Sequence, residues 1–347
     1  MQKQSGKLTQ SQSGKLMQGQ SGELTQQQSR ICQAILDLLR CPICHAKLRQ
    51  EAPNLVCTNS DCGTKFPIVD GIPVLLKEES SVFSIDDFVS RRRTFFSNVP
   101  EKKLREIIRR LVPTIGKNIK GKSNYERLND LLHKQSSSPR VLVIGGSALG
   151  HGMGSIANDS SLELVESDVS FGPRTMLICD AHDIPFENGS FDGVIVQAVL
   201  EHVIDPQRCC EEIHRVLKER GLVYAETAFM QQVHGGPYDF TRFTHLGHRR
   251  LFRKFEEIDS GAVCGTGMAL AWSYESFLLS FARSKKLRAL IRVFARLTSF
   301  CLEYFDSYLI DKPGTLDAAS GYYFMGRKSE QTLSDKELVS LYRGAGS

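Results

Sequence analysis

The run RVLVIGGSALGHGMGSI, beginning at Arg140, passes from β-branched apolar residues to glycines and then to small residues. An unbroken apolar run of this kind is buried on both faces. It reads as a parallel strand that delivers a Gly-rich turn and a helix. Gly145 and Gly146 let the backbone turn sharply and approach a ligand with no Cβ in the way. Ser147 stands where a G-x-G-x-x-G turn has its middle glycine. The strand pattern then repeats. LELVESDVS is a second strand whose Asp168 lies 23 residues past Gly145, near the spacing of a carboxylate that reads a ribose diol. Glu166 is its neighbouring competitor. A third strand ends at Asp180, and a fourth runs from Phe191 to Val196. A helix, a stop at Gly221 and a fifth strand closing near Thr227 follow. This alternation predicts an α/β fold with a doubly wound, mostly parallel, Rossmann-like sheet. Ligands of such sheets lie over the carboxyl ends of the strands, where Gly145, Asp168, Asp180 and Gln197 fall.

The ten cysteines give a second constraint. Cys41, Cys44, Cys57 and Cys62 form C-x2-C-x12-C-x4-C, and the rest are scattered. Two thiolates separated by two residues can share one tight knuckle with both sulfurs facing a common centre. Pro42 and Gly63 suit the turns that knuckles need. The spacing predicts a structural zinc held by these four Cys, with His45 left to solvent. Four buried free thiols or a redox pair are the competing readings. NLVC reads as a strand, and FPIVDGIPVLL as two short strands around Asp70-Gly71. Length, scattered Cys and the lack of an apolar leader exclude a secreted disulfide scaffold. No stretch approaches the roughly 20 apolar residues of a spanning helix. The sequence therefore reads as a cytoplasmic protein.

Cys41-Pro42-x-Cys44 followed by Phe66-Pro67-Ile68 and Gly71-Ile72-Pro73 resembles the small zinc-ribbon proteins of the Trm112 type, whose members bind and activate methyltransferases. The resemblance covers about residues 35–77 and implies a structural or partner-binding module. Between about 138 and 228, five stretches together resemble class I S-adenosylmethionine-dependent methyltransferases of the type 11 group. They are Val141–Gly146, Asp180-Ala181 with Ile184-Pro185-Phe186, Ser190-Phe191-Asp192, Leu200-Glu201-His202-Val203, and Ile213 to Lys218. The resemblance implies S-adenosyl-L-methionine as cofactor. Gly145 and Gly146 would lie under its methionine part, Asp168 would take the ribose hydroxyls, and Asp180 with Ala181 would flank the adenine. Gln197 would border the methyl-donor pocket. His202 is either a base or a packed helix-start residue. An acidic second strand also suits a nicotinamide dinucleotide, but the Gly turn lacks that spacing. A scaffold with a degenerate methyltransferase fold is the alternative from another class.

After strand five, FMQQVHGGPYDFTRFTHLGHRRLF is dense in reactive side chains. Gly235 and Gly236 would let this loop fold over a site. His234 could unmask a nucleophile, Asp239 could orient His234, and Arg242 could grip an anionic substrate. The loop looks like that of a subgroup of type 11 enzymes, some of them associated with sugar or cell-surface polymer pathways; a sugar or a cell-surface glycan or lipid intermediate is the acceptor this implies, with a quinone-like ring, protein and RNA left open. Residues 277–309 are apolar and cationic at helical spacing. They suit a helix pair over the substrate pocket, or peripheral contact with an anionic membrane. The formal charge of +5 is too mild to announce nucleic-acid binding.

The predicted organisation is as follows. Residues 1–30 hold an eight-residue Gln/Ser/Gly repeat that cannot bury enough apolar surface to order itself. Residues 31–78 form the ribbon and 79–138 a helical linker or cap. Within that cap, SNYERLNDLLHK is a helix with Ser123 as N-cap, and 102–110 is a solvated cationic face. Residues 139–328 form the methyltransferase domain with a C-terminal helical insertion. GYYFMGRK serves as an antiparallel edge strand, and 329–347 is a frayed polar tail.

Overall fold

The computed structural model describes residues 31–92, 94–96 and 112–346. The repeat over 1–30 and the cationic run over 102–110 lie outside the described residues. Eleven strands form one sheet in the order β1-β2-β3-β4-β7-β6-β5-β8-β9-β11-β10. The strands are β1 Leu48–Glu51, β2 Asn54–Cys57, β3 Lys65–Val69, β4 Ile72–Leu75, β5 Arg140–Ile144 and β6 Glu163–Asp168. They continue with β7 Leu177–Cys179, β8 Phe191–Gln197, β9 Leu217–Ala228, β10 Phe255–Cys264 and β11 Gly321–Lys328. Strands β7, β6, β5, β8 and β9 are mutually parallel.

Alternation along the central strands sorts their side chains into two cores. Leu142, Ile144, Val194, Val196 and Val223 face one way, against Cys209, Ile213 and Val216 of the helix Pro206–Val216. Val141, Val143, Ile195 and Tyr224 face the other, against Tyr125, Leu128 and Leu132 of the helix Gly121–His133. Asp205 caps the first of these helices by accepting the Arg208 amide, and Pro206 opens it.

Strands β1 to β4 form an antiparallel meander, whose last turn places Asp70 and Gly71 at positive φ. Its last strand does not stop there. β4 pairs in parallel with β7, Val74 opposite Ile178 and Leu75 opposite Cys179. The four-cysteine module thus extends the sheet. Leu75, Phe66 and Leu55 join the core beneath β5 to β9. The Arg40 amide donates to Pro185, and an Arg40–Glu187 ion pair of 2.7 Å lies beside it.

Several expectations are corrected. Helix 206–216 ends at Val216, not Gly221, because Leu217 to Arg220 already belong to β9. Strand β11 is antiparallel but not an edge strand. It lies between β9 and β10, and β10 takes the edge. Ser123 lies inside helix 121–133, and Asn118 Oδ1 accepts the Gly121 amide at its start (2.6 Å). The tail is docked. Ser334 and Glu337 form a capping box for Asp335–Ser340, and Arg343 donates to Ser260 Oγ (2.7 Å). No helix among the described residues is long and apolar enough to cross a membrane.

Candidate functional site

A cavity of about 250 Å³ opens at the carboxyl ends of β5 to β8. Gly145, Asp168, Asp180, Ala181 and Gln197 all line it. Gly145 sits at φ +79°, where a Cβ would also strike Val199 at 2.5 Å. Gly146 is absent from the lining. A Cβ there would crowd Val143 and the Cβ of Glu166, at 3.3 and 3.0 Å. It is a packing glycine under the turn. The amides of both glycines donate to the Ser167 carbonyl (2.9 Å each), which pins the turn to β6.

Ser147 has a function that its departure from the glycine pattern hides. Its amide donates to Asp168 Oδ2 (2.9 Å), while Ser170 Oγ donates to Oδ1 (2.9 Å). Asp168 is therefore held, and burial raises its pKa against those hydrogen bonds. Glu166 turns away to pair with Arg174 (2.6 Å). Asp180 behaves differently. Burial pushes its pKa up, but His182 and Ser81 outweigh burial and hold it below the usual carboxylate range. The contacts are His182 Nδ1 at 2.5 Å and Ser81 Oγ at 2.6 Å. His182 Nε2 accepts the Asp205 amide, so Nδ1 carries the proton toward Asp180.

Gln197 donates to His151 O (3.1 Å) and to Glu226 Oε2 (2.8 Å). Glu226 is buried and also receives Asn118 (2.9 Å) and Tyr224 (2.6 Å). Burial raises its pKa. This carboxylate behind Gln197 was not singled out from the sequence, although its place at the end of the fifth strand was a signal. Phe83 and Phe96, from the segment before β5, also line the cavity; Phe83 stacks on Tyr238 at 5.4 Å, and Phe96 meets the same ring tilted at 5.5 Å. No motif in that segment pointed to them.

The loop after β9 is built around Asp239. Its Oδ2 accepts the amides of His234 (2.7 Å) and Gly235 (2.8 Å). Arg242 pairs with that carboxylate and donates to the carbonyls of Gln231, Gln232 and Thr241. The expected roles change accordingly. Asp239 stands 3.8 Å from the His234 ring and organises its backbone. Arg242 is spent within the loop, and neither residue lines the cavity. The His234 ring instead meets His202, Nε2 to Nε2 at 3.1 Å. His202 lines the cavity and precedes, rather than starts, the helix at Pro206. Beside it Glu201 is buried, which raises its pKa to about 7.

The four ribbon thiols converge. Cys41 and Cys62 Sγ atoms are 3.8 Å apart, and Cys44 and Cys57 are 3.4 Å apart. A tetrahedron with metal–sulfur bonds of about 2.3 Å has edges of about 3.8 Å. The donor set fits a zinc ion. The cavity fits a nucleoside-bearing ligand: two held carboxylates at adjacent strand ends, an apolar wall, and a glycine turn that admits close approach.

Residues 33–71 match the Trm112p-like protein family and residues 150–225 match a methyltransferase domain family. The UPF0434 protein YcaR of Escherichia coli is 40% identical over 55 residues, spanning 15% of this chain and 88% of YcaR. Demethylmenaquinone methyltransferase of Clavibacter sepedonicus is 29% identical over 99 residues, 28% of this chain and only 39% of that protein. Among solved structures, the complex of the Haloferax volcanii Trm112 methyltransferase activator with a methyltransferase aligns at TM-score 0.34 and 16% identity. It covers 60% of this chain and 95% of that one. The Haemonchus contortus phosphoethanolamine N-methyltransferase 2 aligns at TM-score 0.37 and 17% identity, covering 60% and 53%.

Proposed function

We propose that the chain, which belongs to the Trm112p-like family through residues 33–71 and matches a methyltransferase domain over residues 150–225, is an S-adenosylmethionine-dependent methyltransferase with a built-in zinc ribbon. The observation that carries this reading is the convergence of Gly145, Asp168, Asp180, Ala181 and Gln197 on one cavity at the strand ends.

When bound, S-adenosylmethionine supplies a methyl group on a cationic sulfonium. In this reading Asp168 takes the ribose hydroxyls, its carboxylate held ready by Ser147 and Ser170. Asp180, fixed by His182 and Ser81, flanks the adenine with Ala181. Gln197, braced by Glu226, borders the donor end. Phe83 and Phe96 cover the site and exclude water. His234 stands on the acceptor side, and Asp239 with Arg242 positions its loop. Cys41, Cys44, Cys57 and Cys62 hold the zinc, which has no open position and serves structure.

The acceptor in this reading is a glycan or lipid intermediate presented at a membrane surface. Phe277, Leu290, Phe294 and Phe305 are exposed on helices between 266 and 309, and Phe281 is exposed in the turn between the first two. Arg283, Lys285 and Lys286 lie among them, the composition of an interfacial surface. Co-sedimentation with anionic vesicles, against zwitterionic ones, tests that surface. Calorimetry with S-adenosylhomocysteine tests the enzyme: we expect one site per chain. Absence of binding to the folded, zinc-loaded protein would leave a scaffold in its place.

A further inference from the structure

Three side chains beside the cavity are arranged for something the cofactor reading does not use. His202 Nδ1 faces the Tyr238 carbonyl at 2.8 Å. A carbonyl only accepts, so Nδ1 carries the hydrogen and Nε2 of the neutral ring has a free lone pair. His234 Nδ1 faces the Gln232 carbonyl at 3.1 Å, with the same consequence, while Arg242 Nη2 approaches that nitrogen from farther, at 3.4 Å. The two Nε2 atoms then point lone pairs at each other across 3.1 Å. With both rings in that tautomer the contact is repulsive; a metal ion between the lone pairs relieves it, and so does a proton on one Nε2, but the proton leaves the Glu201 oxygen without a partner. The third member is Glu201. Its Oε1 accepts the Ala228 amide (3.3 Å), whereas Oε2 is buried with no partner. An orphaned buried carboxylate oxygen is costly. One ligand atom from each of the three residues lies within 4.8 Å of the others.

We propose that Glu201, His202 and His234 form a second metal site, distinct from the ribbon, which takes a divalent first-row transition ion. Imidazole with carboxylate suits such ions. At metal–nitrogen bonds of about 2.1 Å, ring nitrogens 3.1 Å apart subtend about 95°, the angle of neighbouring positions on an octahedral ion. The Nδ1–H to backbone carbonyl bonds are the outer contacts that fix ligand histidines. Gly235 is part of the same construction: a Cβ there would lie 2.3 Å from His202 Nδ1, so only glycine lets the two histidines meet. Three protein ligands leave positions open, and His202 lines the cavity. Resting on the methyltransferase reading, the open positions would bind an acceptor's oxygen next to the donor pocket, which makes the acceptor a hydroxyl compound. The ion site itself does not depend on that reading.

The test is a Co²⁺ titration of the full chain with its ribbon metal removed, followed by absorption. Two equivalents are expected, one with thiolate-to-cobalt bands and one with d–d bands alone. Loss of an outer-shell partner costs 10–100-fold in affinity, so His234→Ala should weaken the thiolate-free ion by at least about 100-fold. Glu201→Gln, which keeps the shape, should weaken it by at least about tenfold. Both variants should keep the thiolate bands. A single thiolate-bound equivalent in the wild type would overturn the proposal, as would a second ion bound unchanged by His234→Ala. Binding of S-adenosylhomocysteine, measured separately by calorimetry, decides the enzyme reading whatever the cobalt result.

Discussion

Residues 31–76 and the sheet over 140–328 are held together by different means. The sheet stacks two layers of fully buried side chains on either face of β5, β8 and β9. The ribbon has strands of four or five residues, and its largest fully buried side chains, Ile35, Leu39, Leu55 and Phe66, all belong to the core it shares with the sheet. At its tip, four thiols stand at tetrahedral spacing. A small module of that kind cannot bury enough apolar surface to be stable alone. With the proposed zinc in place it draws on ligation at one end and, at the other, on β4 lying against β7. Burial is distributed over many residues and degrades gradually. Ligation is concentrated in a few and fails at once.

The sharpest way to break this contrast is Cys57→Ser. Structural zinc contributes about 10 kcal/mol or more in small domains. We expect zinc to be lost, protease cleavage to open residues 31–76, and the sheet to stay folded with a lower midpoint, because β7 loses its β4 partner. Retained zinc, read by metal analysis, would end the ligand assignment. Next in size is Leu75→Ala at the junction, where Leu75 is fully buried. A cost of about 3 kcal/mol is expected. It should lower the denaturant midpoints of both regions together, and a shift confined to the ribbon would show them to be independent.

Asp168→Ala should leave both regions folded and weaken S-adenosylhomocysteine binding by about 10–100-fold, the value of hydrogen bonds to a charged group. Calorimetry and a thermal melt on the same sample separate the two effects. The smallest effect is at the far edge. Burial holds His248 at a pKa of about 3, well below its unfolded value. The neutral ring's contribution is present above pH 6.5 and is lost as pH falls toward 3, by at most about 1.4 kcal/mol per unit. His248→Phe should flatten the stability profile over that window, measured by urea unfolding at pH 7 and pH 5. An unchanged slope would assign the acid sensitivity elsewhere.

Much of this molecule was legible because its signals are local. The strand at Arg140–Ile144, its Gly turn and the carboxylates Asp168 and Asp180 follow from period and spacing. What stayed hidden depends on distant partners. Strand β10, in FEEIDSGAVC, carries mixed polarity because β11 slots between it and β9. Phe83 and Phe96 look like any exposed aromatics until they meet Tyr238. Asp239 and Arg242 have the chemistry of catalysts, yet their partners are backbone groups of their own loop. His202 was read alone and Glu201 only within its motif, whereas the His234 ring reaches His202 only after the loop turns back at Gly235.

The pairing of Val74 with Ile178 also has a consequence in time. The ribbon leaves the ribosome about 100 residues before its sheet partner does. At roughly 5–20 residues per second, β4 waits on the order of 5–20 s with its outer edge bare. A bare strand edge invites pairing with other chains. During that interval β4 has only β3 for a strand partner, and zinc bound by the four thiols, as proposed, would close the meander before β7 is made.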